Sequence, residues 1–260
     1  MTYDEMKITL TLDTPTTSLL PIQTSTSAST HPHAHPAHPP TPTPTPHHLY
    51  FAYGSNLSST QMKARCGVDP SHSGKPLAIA ALPSWRWLIC QAGYANVLPP
   101  RDTRTGAQKS KAAERVPVSG SADAVFGVLY EMDPGDEELL DGFEGVDPCA
   151  EDADGVDVST AIRPREQGDG SYNKWYFSAP VVCWLGDEDH ILWNRGRGWG
   201  GGRGEVPVLV YVDEGRVVPS PPKKEYIARM NRGIWEAEEL GLSAKWVEEV
   251  IRPYIPAGPI

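Results

Sequence analysis

Two short stretches of this sequence hold residues whose types and spacing could do chemistry. The first is Tyr50-Phe51-Ala52-Tyr53-Gly54-Ser55-Asn56, an apolar run that stops at three turn-forming residues. A buried strand that breaks at Gly-Ser-Asn leaves successive backbone N–H groups unpaired by its sheet. Such groups converge on an anion or a developing oxyanion, and glycine lets the backbone approach a ligand closely. The second stretch is Leu140-Asp141-Gly142-Phe143-Glu144-Gly145-Val146. Glu144 falls at a helix end, where the dipole disfavours negative charge. Partial burial between Phe143 and Val146 would push its pKa the same way, upward, toward the range of a general base working near neutral pH. Taken singly, each stretch is more simply an ordinary tight turn or a solvent-facing helix-end glutamate.

The elements that must position these residues follow from pattern. Leu49–Tyr53 reads as a buried strand, and Ser58-Ser59 as the cap of a short helix running through Gln61, Lys63 and Arg65. Trp85–Cys90, Ala95–Leu98, Val125–Glu131, Trp175–Leu185 and Val206–Val212 have strand character. Asp133-Pro134 is a strong helix start, with a capping acid, proline at the first helical position and acids in the first turn. That helix is expected over residues 135–143, with Leu139, Leu140 and Phe143 on one side and a stop at Gly145. A longer helix over 223–240 carries Tyr226, Ile227, Met230, Ile234, Ala237 and Leu240 at helical spacing. Ser243 caps a last short one containing Trp246, Val247, Val250 and Ile251. Strands outnumber helices and do not alternate regularly with them, so the fold class is α+β and not doubly wound.

Composition divides the chain. Residues 1–48 hold nine of the 26 prolines, six of the eight histidines and a single aromatic, Tyr3. With almost nothing apolar to bury, this Ser/Thr/His/Pro-rich tail is expected to be disordered, apart from an alternating stretch over 6–13 that could dock on a sheet edge. Residues 49–260 form one domain, long enough to bury roughly 70% of its unfolded surface without crosslinks. It is interrupted by polar or glycine-rich insertions near 101–122, 147–170 and 186–205.

The formal net charge of −10 argues against a general nucleic-acid binder, which needs a basic face. Arg195, Arg197 and Arg203 in the third insertion are too few to reverse that, and its formal GxGxxG lacks the strand-to-helix junction of a dinucleotide site. No apolar run approaches the roughly 18 residues a membrane span needs, so no membrane partner is expected. The N-terminus lacks the pattern of a signal or transit peptide. Cys66, Cys90, Cys149 and Cys183 have no zinc or redox spacing and read as free thiols in a reducing cytoplasm. The histidines of the tail, without a fold to fix them, would bind metal only weakly; no metal and no cofactor is expected.

The order of three segments narrows this further. YFAYGSNL (Tyr50–Leu57), VFGVLYEMDPGDEELLDGFEGV (Val125–Val146) and LVYVDEGRVVPSPPKKEY (Leu209–Tyr226) together resemble the γ-glutamylcyclotransferase family, with its AIG2-like relatives. The resemblance runs from about Tyr50 to Pro256, around the three insertions. It implies a small mixed β-barrel with helices around a single metal-free cavity. It assigns Tyr50, Phe51, Ala52, Tyr53, Gly54, Ser55 and Asn56 to the substrate-binding loop, Glu144 to acid/base catalysis and Tyr211 to substrate contact. Tyr172 would match a tyrosine that normally follows the EGV motif, although the 147–170 insertion intervenes.

The reaction so implied is a lyase-type cyclisation. The α-amine of a γ-glutamyl group attacks its own γ-carbonyl, forming 5-oxoproline and expelling an amino acid. The substrate brings its own nucleophile, so the protein must fold it back on itself, remove a proton from the α-ammonium through Glu144, and hold the carboxylate or oxyanion on N–H groups of the 53–56 turn. The expected partner is therefore a small γ-glutamyl compound, with a homodimer left open. The alternatives are γ-glutamylamine cyclotransferase activity, or a non-enzymatic interaction module on the same fold.

Overall fold

The computed structural model describes residues 48–153, 157–186 and 204–258. The expected strand over 6–13, the histidine tract before His48 and the Arg/Gly stretch over 195–203 lie outside them. The chain divides into Met1–Pro44, also outside the described residues, and Thr45–Ile260, which is the unit described below.

Its centre is a closed five-stranded barrel. The strands are β1 (Leu49–Ala52), β2 (Pro76–Pro83), β5 (Ala124–Tyr130), β6 (Asn173–Trp184) and β7 (Glu205–Val212), arranged β1-β5-β2-β6-β7. Every pairing is antiparallel except β1 with β7, which closes the barrel in parallel with Tyr50 beside Leu209. A hairpin, β3 (Arg86–Ile89) with β4 (Ala95–Leu98), lies beside the barrel. The mixed barrel with surrounding helices is the architecture that the sequence resemblance implied. All four residues of β1 are buried. Phe51, Leu129, Trp175 and Val208 are among the fully buried core side chains.

One barrel strand is absent from the sequence expectation. β2, Pro-Leu-Ala-Ile-Ala-Ala-Leu-Pro, shows no alternation and is rich in alanine, a helix former. It sits between β5 and β6 with six consecutive buried residues, and burial on both faces erases the period-2 signal. The region 101–122, read as a loop, is instead folded into three 3₁₀ turns. Ala113 and Val116 pack there with Leu88, Cys90, Leu98 and Val217 in a second small core.

Helices α1 (Ser59–Arg65), α2 (Pro70–Ser73), α3 (Pro134–Glu144) and α4 (Lys224–Glu239) complete the frame of the site. The Ser58 hydroxyl caps α1 by accepting from the Gln61 N–H at 3.0 Å. Glu236 of α4 grips the same helix start, accepting from Ser58 Oγ at 2.8 Å, Ser59 Oγ at 3.1 Å and the Thr60 N–H at 3.0 Å. Asp136, in the first turn of α3, is fully buried. It accepts from the N–H groups of Val68 and Asp69 and from Ser73 Oγ, all within 2.9 Å. Two carboxylates thus tie the start of α1 to α4, and the α1–α2 connection and α2 to α3. A final helical stretch, Ala244–Ile251, is capped by Ser243 as expected and widens to a π-helical turn after Trp246.

The four cysteines are unpaired: Cys66 and Cys90 buried, Cys149 and Cys183 exposed. Among the described residues no helix is long and apolar enough to cross a membrane.

Candidate active site

The turn after β1 and the end of α3 meet at one cavity of about 630 Å³, within the size range of small-molecule sites. Its wall includes Tyr50, Tyr53, Gly54, Ser55, Asn56, Glu144 and Tyr211. Phe51 and Ala52, expected in the binding loop, are fully buried in the barrel core and take no part in that wall. Strand alternation explains Phe51, which faces away from its neighbours Tyr50 and Ala52.

Glu144 is the last residue of α3. The helix stops at Gly145, whose φ of 66° is left-handed. The Val146 N–H returns to the Asp141 carbonyl at 2.9 Å and the Gly145 N–H to Gly142 at 3.3 Å, which closes the terminus as a Schellman motif. This tight stop fixes where the Glu144 side chain leaves the helix. Its carboxylate, 17% exposed, accepts from Arg65 Nη1 at 2.8 Å and from Asn56 Nδ2 at 3.1 Å, both on Oε1. Among the described residues Oε2 accepts no hydrogen bond. Burial pushes the Glu144 carboxyl above the usual carboxylate range, against the opposing pull of the Arg65 guanidinium and the Asn56 amide.

The turn is braced from several sides. The Asn56 amide also donates to Tyr50 Oη at 2.9 Å, and Gln61 Nε2 donates to Asn56 Oδ1 and Ser55 Oγ, both at 2.7 Å. The Tyr53 hydroxyl donates to the Tyr211 carbonyl at 2.6 Å, and the Trp87 indole donates to the Tyr53 carbonyl at 3.0 Å. Gly54 has no room for a side chain: a Cβ there would lie 2.9 Å from Tyr226 Oη and 3.3 Å from Ala95 Cβ.

Tyr226 is a site residue that the sequence pattern conceals. Its spacing on α4 marks it as an ordinary core position, and it is indeed buried. Yet its oxygen accepts from the Ser55 N–H at 3.2 Å, a group expected to face a ligand directly. With the Ser55 N–H donating to its oxygen, its own O–H is the group it can offer to the cavity; burial pushes its pKa up to about 12, so it stays protonated at neutral pH. Arg65 is a second concealed residue. It lies one turn after Gln61, so both reach the same side of α1, a spacing that follows directly after the Gly-Ser-Asn turn. Its guanidinium lies 5.1 Å from the Phe143 ring centroid. Phe143, expected on the apolar side of α3, is 58% exposed and serves as a platform for Arg65, while Leu140 alone of the three expected residues is buried.

Tyr211 and Tyr172 both reach the cavity. The Tyr211 hydroxyl donates to Asp141 Oδ1 at 2.6 Å, and Asp141 is in turn paired with Lys174 at 3.0 Å. The Tyr172 hydroxyl donates to the Ala95 carbonyl at 2.7 Å. Burial raises the pKa of both phenols, as it does for Tyr50 and Tyr53. The cavity is therefore walled by neutral phenols and amides, with one carboxylate of raised pKa and several cations. That inventory suits proton transfer on a small polar molecule. Among the described residues no three His, Cys, Asp or Glu side chains gather as metal ligands would.

Comparison with protein-family models gives no match, and neither does comparison with curated proteins. Among solved structures, YkqA from Bacillus subtilis is similar at 18% identity and a TM-score of 0.47, over 82% of this chain and 55% of that one. A protein described as gamma-glutamyl cyclotransferase is similar at 18% identity and a TM-score of 0.45, over 82% of this chain and 89% of that one. A γ-glutamyl cyclotransferase from yeast, described as specific to glutathione, is similar at 14% identity and a TM-score of 0.43, over 80% and 97%. The chain thus spans just over half the length of YkqA, and likenesses of this size transfer no activity.

Proposed function

We propose that this chain is a γ-glutamylcyclotransferase acting on γ-glutamyl amino acids, with Glu144 as its general acid/base. The observation that carries this reading is the asymmetry of Glu144. One carboxylate oxygen is held by Arg65 and Asn56, and the other takes no hydrogen bond among the described residues, in the wall of the cavity beside the Gly-Ser-Asn turn. A base needs one anchored oxygen and one available for a proton.

In this mechanism the substrate folds so that its α-amine faces its own γ-carbonyl, which converts the reaction to a ring closure. Glu144 takes a proton from the α-ammonium. The freed amine adds to the γ-carbonyl carbon, making the ring C–N bond. Charge on the oxygen is met by the Tyr226 hydroxyl and the backbone of the turn. The original amide C–N bond then breaks, Glu144 returns its proton to the departing nitrogen, and the ring nitrogen gives up its second proton to that departing amine, which leaves as an ammonium. The products are 5-oxoproline and a free amino acid, and the carboxylate is regenerated. Arg65 favours the charged base while burial favours the neutral acid, so the group works from an intermediate position.

The test is incubation with γ-glutamyl-alanine, with 5-oxoproline scored by mass spectrometry. Release of 5-oxoproline that disappears in Glu144→Gln supports the reading. A folded wild-type protein that turns over no member of a panel of γ-glutamyl dipeptides, γ-glutamyl-lysine and glutathione overturns it.

A further inference from the structure

Four cations contribute to the cavity wall: Arg65, Arg216, Lys223 and Arg229. Two are committed to a close carboxylate, Arg65 to Glu144 at 2.8 Å and Arg216 to Asp213 at 2.5 Å. The other two are not. Arg229 Nη2 comes no nearer than 3.8 Å to Glu225, itself 57% exposed, and Nη1 lies 3.5 Å from Ser55 Oγ. Lys223 Nζ donates to the Tyr94 hydroxyl at 3.0 Å.

These two are held together as a unit. Both flank the Tyr94 ring, with Lys223 Nζ 4.4 Å and Arg229 Cζ 5.8 Å from its centroid, and Arg229 also lies 5.0 Å from the Tyr226 centroid. The Lys223 backbone is pinned to the β3–β4 hairpin, its N–H donating to the Gly93 carbonyl at 3.1 Å. Lys223 also precedes the first residue of α4 as its N-cap, at the end of a 16-residue helix whose N-terminal dipole favours an anion. The pair stands on the solvent side of the site, with Lys223 exposed and the Arg229 side chain 35% exposed. Arg229 is close enough to Glu144 for its charge to be felt there.

Resting on the cyclotransferase reading, we infer that Arg229 and Lys223 form the subsite for the departing group and select substrates whose leaving amine carries a carboxylate. With Glu144 and the turn taking the γ-glutamyl group, the departing group extends toward α4. An amino acid there gives its carboxylate to Arg229 and Lys223. A simple amine leaves both cations without that partner.

The test compares γ-glutamyl-alanine with γ-glutamylethylamide, the same molecule without the alanine carboxylate. Wild type is expected to favour the first in kcat/KM, and Lys223→Gln with Arg229→Gln to reduce that ratio by about 10- to 100-fold, the range of a charge-assisted hydrogen bond. Lys223→Arg with Arg229→Lys should restore most of it. Equal treatment of the two substrates by wild type, or an equal loss on both in the double Gln variant, overturns the subsite. Calorimetric binding of the uncyclisable pair glutaryl-alanine and glutaryl-ethylamide separates this from the catalytic reading. If no 5-oxoproline forms yet glutaryl-alanine binds more tightly, and the difference vanishes in the double Gln variant, the subsite stands and the cyclotransferase reading falls. Equal binding of the two analogues overturns the subsite.

Discussion

Glu144 and Glu214 are carboxylates taken largely out of water by the same fold, one in the cavity wall and the other behind the chain over 157–170. Around Glu214 every oxygen is taken. Arg163 approaches both, with Nε 2.6 Å from Oε1 and Nη2 2.6 Å from Oε2. Asn173 Nδ2 donates to Oε1 at 2.8 Å and the Trp175 indole at 2.7 Å, with Thr105 Oγ1 at 3.5 Å from Oε2. A carboxylate so saturated has nothing left to offer a substrate; it fastens the chain around Arg163 to β6 and to the loop after β7. Among the described residues Glu144 is held at one oxygen only. Buried charge is a staple when its coordination is complete and a reagent when it is left one partner short.

The largest test of that contrast is Glu144→Gln. It keeps an oxygen for Arg65 and Asn56 but cannot take a proton, so 5-oxoproline release from γ-glutamyl-alanine should fall about 100- to 10,000-fold with little change in Tm. Glu214→Gln should do the reverse. It leaves Arg163, 2% exposed, with only Glu166 for an anionic partner, and should cost about 3 kcal/mol in denaturant unfolding while the protein that remains folded keeps most of its turnover. A Glu214→Gln variant of wild-type stability would break the contrast.

A third carboxylate sharpens it with pH. Glu137 is bonded by His48 and Lys174, which outweigh the effect of its burial and hold its pKa at about 2. A depressed pKa contributes stability above the ordinary carboxylate range, and that contribution is lost as pH falls from about 4.5 toward about 2. Glu137→Gln should therefore cost at most about 3 kcal/mol in denaturant unfolding at pH 6 and have little effect near pH 2. Glu144 carries the opposite sign. Its raised pKa should place the acid limb of kcat/KM above the usual carboxylate range. Arg65→Met removes the cation that favours the charged form and should move that limb further up, so activity is lost first at low pH and recovered at high pH.

What the sequence made legible was local. Leu49–Tyr53 as a buried strand, Asp133-Pro134 as a helix start and Gly145 as its stop are all decided by near neighbours, and they deliver Glu144 and the turn to recognisable places. The helix caps at Ser58 and Ser243 are read equally well. The partners that make the site work come from far along the chain. Ser55 and Tyr226 are 171 positions apart, and Glu144 and Arg65 are 79. Nothing in the helical spacing of Tyr226 separates a core tyrosine from one that caps a turn. The same holds for Arg163 and Glu214, which read as loop charges until the fold puts them 2.6 Å apart. β2 is hidden for another reason: burial on both faces leaves no alternation to find.

The parallel seam between β1 and β7 has a consequence for how the protein is made. During synthesis β1 and its turn emerge well before the strand that closes the barrel against β1 and the helix that brings Tyr226 to Ser55. Until then β1 has an open edge and the turn lacks its phenol. Such long-range pairing makes for slow barrel closure and a nascent chain exposed to misassociation at that edge. Translation that stops before Glu205 would yield a product with Glu144 and its turn encoded but with no barrel to hold them together.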